Sequence, residues 1–205
     1  MQYNIVFTYS LHFMERERVL LFNRNVKTDG FLFDYFRIST LELIANEIHR
    51  RKVVGNVAEV GVYLGIFASK INEYFPDRIL YLFDTFEGFN EKEVYKEKIR
   101  GNMTLTYDFA NTTIDKVLSI MPHNNNCIIK KGFFPDTTID IDDVFAFVSL
   151  DTDLYDPIYA GLNYFYPRLS KGGVIFVHDY YNEIRFKGVK EAVDKYCLEN
   201  NLFFL

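Results

Sequence analysis

The sequence predicts a doubly wound, mainly parallel α/β sheet of the Rossmann-like kind, and three observations carry that expectation. Short apolar runs rich in β-branched and aromatic residues alternate with helix-length amphipathic segments over most of the chain. A glycine turn, Gly61 to Gly65, joins the first clear strand to the helix after it. Finally, the strand-like runs end abruptly in polar residues: Asp84 after residues 79–83, Asp151 and Asp153 after 145–150, His178 and Asp179 after 174–177. Parallel strands share one carboxyl edge, where ligands bind, so these groups are expected to converge. Three carboxylates and an imidazole gathered there call for something positive among them.

Element by element, residues 3–9 suggest a strand and 13–22 a short helix. Residues 31–51 carry Phe33, Phe36, Ile38, Leu41, Ile44, Ala45 and Ile48 at three- and four-residue steps, the spacing of an amphipathic helix. Arg50, Arg51 and Lys52 close it with the charge that a helix C-terminus favours. A strand at 56–60, the glycine turn, a helix from Ile66 to Phe75 and a strand at 79–83 form a β-α-β unit. The charged stretch 85–113 predicts a solvated helix near residues 91–100, or a lid over the site. A helix at 113–121 and a strand at 127–130 follow, then the aromatic loop Gly132 to Thr137. After the strand 145–150, Asp156-Pro157 reads as a helix start, with Asp153 and Asp156 each either capping it or joining the acid cluster. Lys171-Gly172-Gly173 reads as a turn before the strand 174–177, residues 188–199 as the last helix, and 202–205 as the beginning of a sixth strand.

One domain spanning residues 1–205 is expected, with 1–52 as an N-terminal helical and aromatic extension. The formal net charge of -5 argues against a nucleic-acid partner. No apolar run reaches membrane-spanning length and no basic leader precedes an apolar core, so neither a membrane nor export is predicted and the cytoplasm is the expected location. Cys127 and Cys197 read as reduced core residues, and His12, His49 and His123 as surface residues.

The glycine turn narrows the ligand. A dinucleotide site wants Gly-x-Gly-x-x-Gly, because the pyrophosphate rests on the helix N-terminus. Here Glu59 occupies the first of those positions, and a carboxylate there repels pyrophosphate. It suits a cationic ligand without phosphate, and S-adenosylmethionine, with a sulfonium and an ammonium, is one. Asp84 after the next strand would accept hydrogen bonds from ribose hydroxyls.

Six stretches in this order then acquire a common meaning: Asp34-Tyr-Phe-Arg-Ile-Ser-Thr-Leu-Glu-Leu, Glu59-Val-Gly-Val-Tyr-Leu-Gly, Phe83-Asp-Thr-Phe-Glu-Gly-Phe, Gly132-Phe-Phe-Pro-Asp-Thr, Leu150-Asp-Thr-Asp-Leu-Tyr and Gly172-Gly-Val-Ile-Phe-Val-His-Asp-Tyr. Together they resemble the macrocin O-methyltransferase family, metal-dependent class I enzymes that methylate sugar hydroxyls of natural products. The resemblance covers about residues 31–196. It implies that Glu59, Gly61 and Gly65 hold the methionine end of S-adenosylmethionine, with Tyr63 where many class I enzymes place another glycine. It implies Asp84, with Thr85 beside it, at the ribose, and Phe86, Gly132 and Phe133 around the adenine.

The family's metal ligands would be Asp151 and a consecutive acid pair, for which this chain has His178 and Asp179. Magnesium is the ion the family implies, but imidazole suits a transition metal better. Three outcomes stay open: another metal, His178 standing aside while waters complete the shell, or a metal-free site with His178 as base. In the metal-assisted reading, Asp151 or His178 takes the proton of a sugar or small-molecule hydroxyl. A metal-independent methyltransferase and a protein that binds the cofactor without turnover are the alternatives. Tyr155 reads as packing near the site, and Tyr180 and Tyr181 either line the acceptor pocket or pack. The usual class I sheet has a seventh, antiparallel strand, for which no residues remain after 205. Either the sequence is truncated at its C-terminus, or the sixth strand pairs directly with the fifth, or residues 3–9 fill the edge; otherwise an open apolar edge would favour a homo-oligomer.

Overall fold

A computed structural model describes residues 4–8, 35–102, 109–182 and 185–202. Six strands form one sheet: β1 (Asn4–Thr8), β2 (Asn56–Val60), β3 (Leu80–Asp84), β4 (Cys127–Lys131), β5 (Phe145–Leu150) and β6 (Leu169–His178). The helices are α1 (Tyr35–Arg50), α2 (Ile66–Tyr74), α3 (Glu91–Arg100), α4 (Ile114–Ser119), α5 (Tyr155–Phe165) and α6 (Lys187–Glu199). The strand order is β1-β6-β5-β2-β3-β4, and every pairing is parallel. The doubly wound expectation holds, and the edge beyond β6 is filled by the N-terminal strand, one of the three outcomes considered.

Apolar layers on both faces hold the sheet. On one, Val57, Leu80, Leu82 and Phe147 meet Ile38, Leu41, Ala45 and Ile48 of α1 and Phe67 and Ile71 of α2. On the other, Val60, Phe83, Val148 and Ile175 meet Ile158, Leu162 and Phe165 of α5 and Val189 and Val193 of α6. β5 is buried at all six positions, which is why it reads as a continuous apolar run rather than an alternation.

Three local expectations need correction. Residues 171–173 lie inside β6 rather than in a turn before it. Pairing shifts register between Phe145/Leu169 and Phe147/Val174, and Gly172 sits at φ 88, so the glycines form an irregularity that the ladder absorbs. Neither Asp153 nor Asp156 caps α5, whose N-cap is Leu154 with no side-chain hydrogen bond. The cap comes from another helix: Glu97 Oε1 of α3 accepts the Tyr155 backbone N–H at 3.2 Å. Leu202 lies outside any strand, and the rest of the expected sixth strand, 203–205, falls outside the described residues, as do the helix expected at 13–22 and His12. Both cysteines are free, Cys197 buried and Cys127 half-buried. His49 and His123 are exposed, as expected.

Candidate active site

Between β2 and β5 the strand order reverses, and the carboxyl ends on either side of that point frame a cavity of about 480 Å³. The ladder brings the strand ends into one row. Gly61 N–H donates to Phe83 O at 2.9 Å, Asp151 N–H to Val60 O at 2.8 Å, and Gly132 N–H to Asp84 O at 3.0 Å. Glu59, Gly61, Tyr63, Asp84, Thr85, Gly132, Phe133, Asp151, Asp153, His178 and Asp179 all line the cavity. Sequence separations of up to 120 residues, from Glu59 to Asp179, therefore collapse into one site.

The glycine turn is built by contact. A Cβ on Gly61, whose φ is 86, would sit 2.0 Å from the Asp151 carbonyl oxygen, so only glycine lets β2 and β5 end side by side. Asp84 braces the same turn: its Oδ2 accepts the Val62 and Tyr63 N–H groups at 2.7 and 2.9 Å, and its Oδ1 accepts Phe86 N–H at 2.7 Å. The acid expected at a ribose is thus first an organiser of the loop, with lone pairs left for a ligand.

Two residues of the expected set depart from the cavity. Gly65 faces α4, where a Cβ would approach Val117 and Met121 at 3.0 and 3.1 Å, and Phe86 is buried in the core beside Val62 and Phe67. Both serve packing beneath the site, Gly65 against α4 and Phe86 within the apolar core. Tyr180 also packs, its hydroxyl donating to Asp194 at 2.6 Å, while Tyr181 is exposed. Tyr155 packs as expected, stacked on Tyr159 with Arg100 over its ring.

Glu59 is the buried acid of the donor side. Burial pushes its carboxyl up to about 8 against the pull of Arg37, and its Oε2 has no hydrogen-bond partner among the described residues. A carboxyl oxygen left bare in a cavity is costly unless a donor from a ligand meets it, and an ammonium is the group that fits. The amino-acid end of S-adenosylmethionine supplies one.

Across the cavity, ligand atoms of Asp151, Asp153, His178 and Asp179 lie within 4.8 Å of one another. His178 Nδ1 stands 2.9 Å from Asp151 Oδ1 and 3.2 Å from Asp179 Oδ2. Neither oxygen lies in line with the ring N–H, so these contacts are ion pairs more than hydrogen bonds. Burial works against charge on the imidazole, but Asp151 outweighs it and holds the ring's pKa above its usual value. Burial likewise opposes the Asp151 carboxylate, and His178 and Arg37 together keep it well below the usual range. Asp153, half-buried beside Asp151 and Asp179, is pushed well above it by desolvation and by those two charges. Asp153 and Asp179 both adopt positive φ, 62 and 57, a strained backbone of the kind found at functional sites. Three carboxylates with one imidazole form a donor set that a divalent cation accepts, Mn²⁺ or Fe²⁺ more readily than Mg²⁺.

Asp153, expected among the strand-end acids or as a helix cap, joins the cluster and caps nothing. Reading the sequence missed one residue here. Arg37, in α1, donates to Asp151 Oδ2 at 2.8 Å, Ser149 Oγ at 2.9 Å and Glu59 Oε1 at 3.3 Å. A signal existed, since Arg37 falls on the stripe of Leu41 and Ala45, four and eight residues on, where a charge is out of place without a buried partner.

The model of the macrocin-O-methyltransferase (TylF) family matches residues 32–203. The chain belongs to that family. As a member of it, the chain is an O-methyltransferase. Among solved structures, the O-methyltransferase NovP is similar with a TM-score of 0.63 at 21% identity, over 80% of this chain and 72% of its own. CalS11, a calicheamicin methyltransferase, has the same TM-score of 0.63 at 19% identity, over 91% of this chain and 86% of its own. At such identity both show the fold. No curated protein sequence matches the chain.

Proposed function

We propose that the chain transfers the methyl group of S-adenosylmethionine to a hydroxyl of a sugar or a glycosylated small molecule, assisted by a divalent cation. One observation carries this reading: a bare, buried carboxyl at Glu59 and the cluster of Asp151, Asp153, His178 and Asp179 face the same cavity. The first wants an ammonium and the second wants a cation or a hydroxyl. Family membership supports the reaction class, and CalS11, described as a TDP-rhamnose 3'-O-methyltransferase, supports a sugar as acceptor.

Methyl transfer is a single displacement: the acceptor oxygen forms a bond to the methyl carbon as the carbon–sulfur bond breaks, leaving neutral S-adenosylhomocysteine. Its main demand is alignment. Glu59 and the turn at Gly61 hold the amino-acid end, and Asp84 and Thr85 lie toward the ribose, with Gly132 and Phe133 toward the adenine. A cation held by Asp151, His178 and Asp179 would lower the pKa of the acceptor hydroxyl and fix its position. The proton then needs a carboxylate. Asp151 is committed to Arg37 and His178, so the role falls to Asp153, the remaining cavity-lining carboxylate of the cluster that the cation leaves unligated. This reassigns the base expected at Asp151 or His178.

A second reading is favoured by His178 itself, which stands between Asp151 and Asp179 where it can supply the cluster's positive charge without metal. Calorimetric titration with S-adenosylhomocysteine and a methyl-transfer assay on nucleotide sugars, each with and without Mn²⁺, separate the cases. Micromolar binding, with turnover that a chelator abolishes, is expected; Asp179→Asn should lower turnover and Mn²⁺ affinity together by about a hundred-fold or more. Turnover unaffected by chelator establishes the metal-free reading. Absence of binding at millimolar concentration sinks both.

A further inference from the structure

We infer that Arg37, carried by the N-terminal helix α1, is a positioning residue that fixes the spacing between Glu59 on the methyl-donor side and Asp151 on the acceptor side. The inference rests on the reading of the site as a methyl-transfer centre. Its observations are independent of that reading.

One guanidinium joins three side chains from two strands. Nη1 donates to Asp151 Oδ2, and Nη2 donates to both Ser149 Oγ and Glu59 Oε1. The face of the guanidinium lies 3.5 Å from the centre of the Phe67 ring on α2. Arg37 is 3% exposed, Glu59 1% and Ser149 0%. The register places Glu59 directly opposite Ser149, so both point to the sheet face that α1 covers, among apolar neighbours that offer them no other positive charge.

The pattern of occupied atoms gives the arrangement its meaning. Arg37 takes one oxygen of each carboxylate and leaves the other. Glu59 keeps Oε2, which has no hydrogen-bond partner among the described residues. Asp151 keeps Oδ1, which faces His178 and the acid cluster. Each acid, on the wall of the same cavity, therefore keeps one oxygen outside the clasp, and the two are held by one rigid, planar group. Methyl transfer requires donor and acceptor atoms in line, and a fixed link between the groups that hold them serves that need. A lysine at this position keeps the charge but is a point donor on a flexible stem, unable to bridge both carboxylates in one plane.

The test compares wild type with Arg37→Lys and Arg37→Met, using Arg78→Lys as control. Arg78 is a largely buried cation whose guanidinium donates to the Gly55 and Val53 carbonyls, away from the cavity. Readouts are calorimetric affinity for S-adenosylhomocysteine, Mn²⁺ binding by electron paramagnetic resonance, melting temperature, and crystal structures of the ligand-free proteins. Arg37→Lys is expected to weaken S-adenosylhomocysteine about ten- to a hundred-fold and to shift Mn²⁺ affinity at the same time. Arg78→Lys should lower the melting temperature and leave both affinities at wild-type values. Arg37→Met should show the larger effect, and if it fails to fold, Arg37→Lys carries the test. Wild-type affinities for both ligands in Arg37→Lys overturn the inference, whatever its stability. If the wild type itself binds no S-adenosylhomocysteine, the methyl-transfer reading is what falls. The crystal structures then decide the positioning claim: a rotated Asp151 or Glu59 carboxylate in Arg37→Lys supports it, and unmoved carboxylates overturn it.

Discussion

Glu59 is the residue at which burial and charge conflict most openly. It is 1% exposed, and burial lifts its carboxyl to about 8 even with Arg37 beside it. The folded state therefore holds the Glu59 proton more tightly than the unfolded chain, whose glutamate titrates near about 4.3. Its contribution to stability is complete below that value and is lost as pH rises through about 8. Glu59→Gln removes this dependence. Thermal melts of the ligand-free protein from pH 5 to 9 should show wild type falling relative to Glu59→Gln as pH rises, and parallel curves would refute the raised pKa. At this scale the sequence was informative where chemistry sits at strand ends: Glu59, Asp84, Asp151, His178 and Asp179 all line the cavity. For Arg37 it held a sign of burial but not the partners, because a guanidinium 22 residues from Glu59 and 114 from Asp151 has no local pattern that names them. Asp153 was legible as a strand-end acid, but an acid just before a helix also looks like a cap, and only the assembled fold decides between the two.

Among the elements, α3 shows most clearly how a charged, solvated-looking segment acquires a task. The expected helix is there, with Asn90 capping its start and Gly101 ending it in the left-handed conformation. Yet Glu97 is 2% exposed: it accepts Tyr155 N–H at the start of α5 and Arg100 at 3.0 Å, and a Cβ on Gly188 at the start of α6 would meet its Oε2 at 2.3 Å. Arg100 and Lys96 also bind Asp156 of α5 at 2.8 and 2.7 Å. Asp156, expected as a cap, is thereby a tether. Phe89, Asn90 and Glu93 at the head of this segment line the cavity, so the tether sets the cavity's outer wall. Glu97→Ala should cost about 1 kcal/mol or more through the lost cap, and raise acceptor KM more than kcat falls. Hydrogen exchange should quicken in α3 ahead of the sheet. Unchanged α3 protection would show that the ion pairs to Asp156 suffice. The strands were legible because each is apolar, short and bounded by turn residues. The caps were not, because a cap from another helix lies 58 residues away in sequence.

At the scale of the molecule, the described strands form a single all-parallel sheet whose two edges differ. β4 ends one edge with Lys130 and Lys131, charges that discourage further strand pairing. The other edge is closed by β1, paired with β6 from Asn4↔Val174 to Thr8↔His178, so the first strand reaches the same end of the sheet as the acid cluster. Deleting residues 1–8 should expose the β6 ladder, and size-exclusion chromatography should show self-association or loss of soluble protein. A monodisperse, equally stable truncation would refute the edge-covering role. No helix among the described residues is long and apolar enough to cross a membrane. By itself the sequence determined the alternation of strands and helices, the glycine turn and the acids at the strand ends, because hydrophobic periodicity, turn chemistry and strand termini are local properties of consecutive residues. Only the tertiary structure decided the strand order, the closing of the edge by β1, the departure of Gly65 and Phe86 from the cavity, and the clasp of Arg37 on Glu59 and Asp151. Those depend on which distant groups meet once the sheet is assembled, where burial raises the cost of an unpaired charge and so selects its partners.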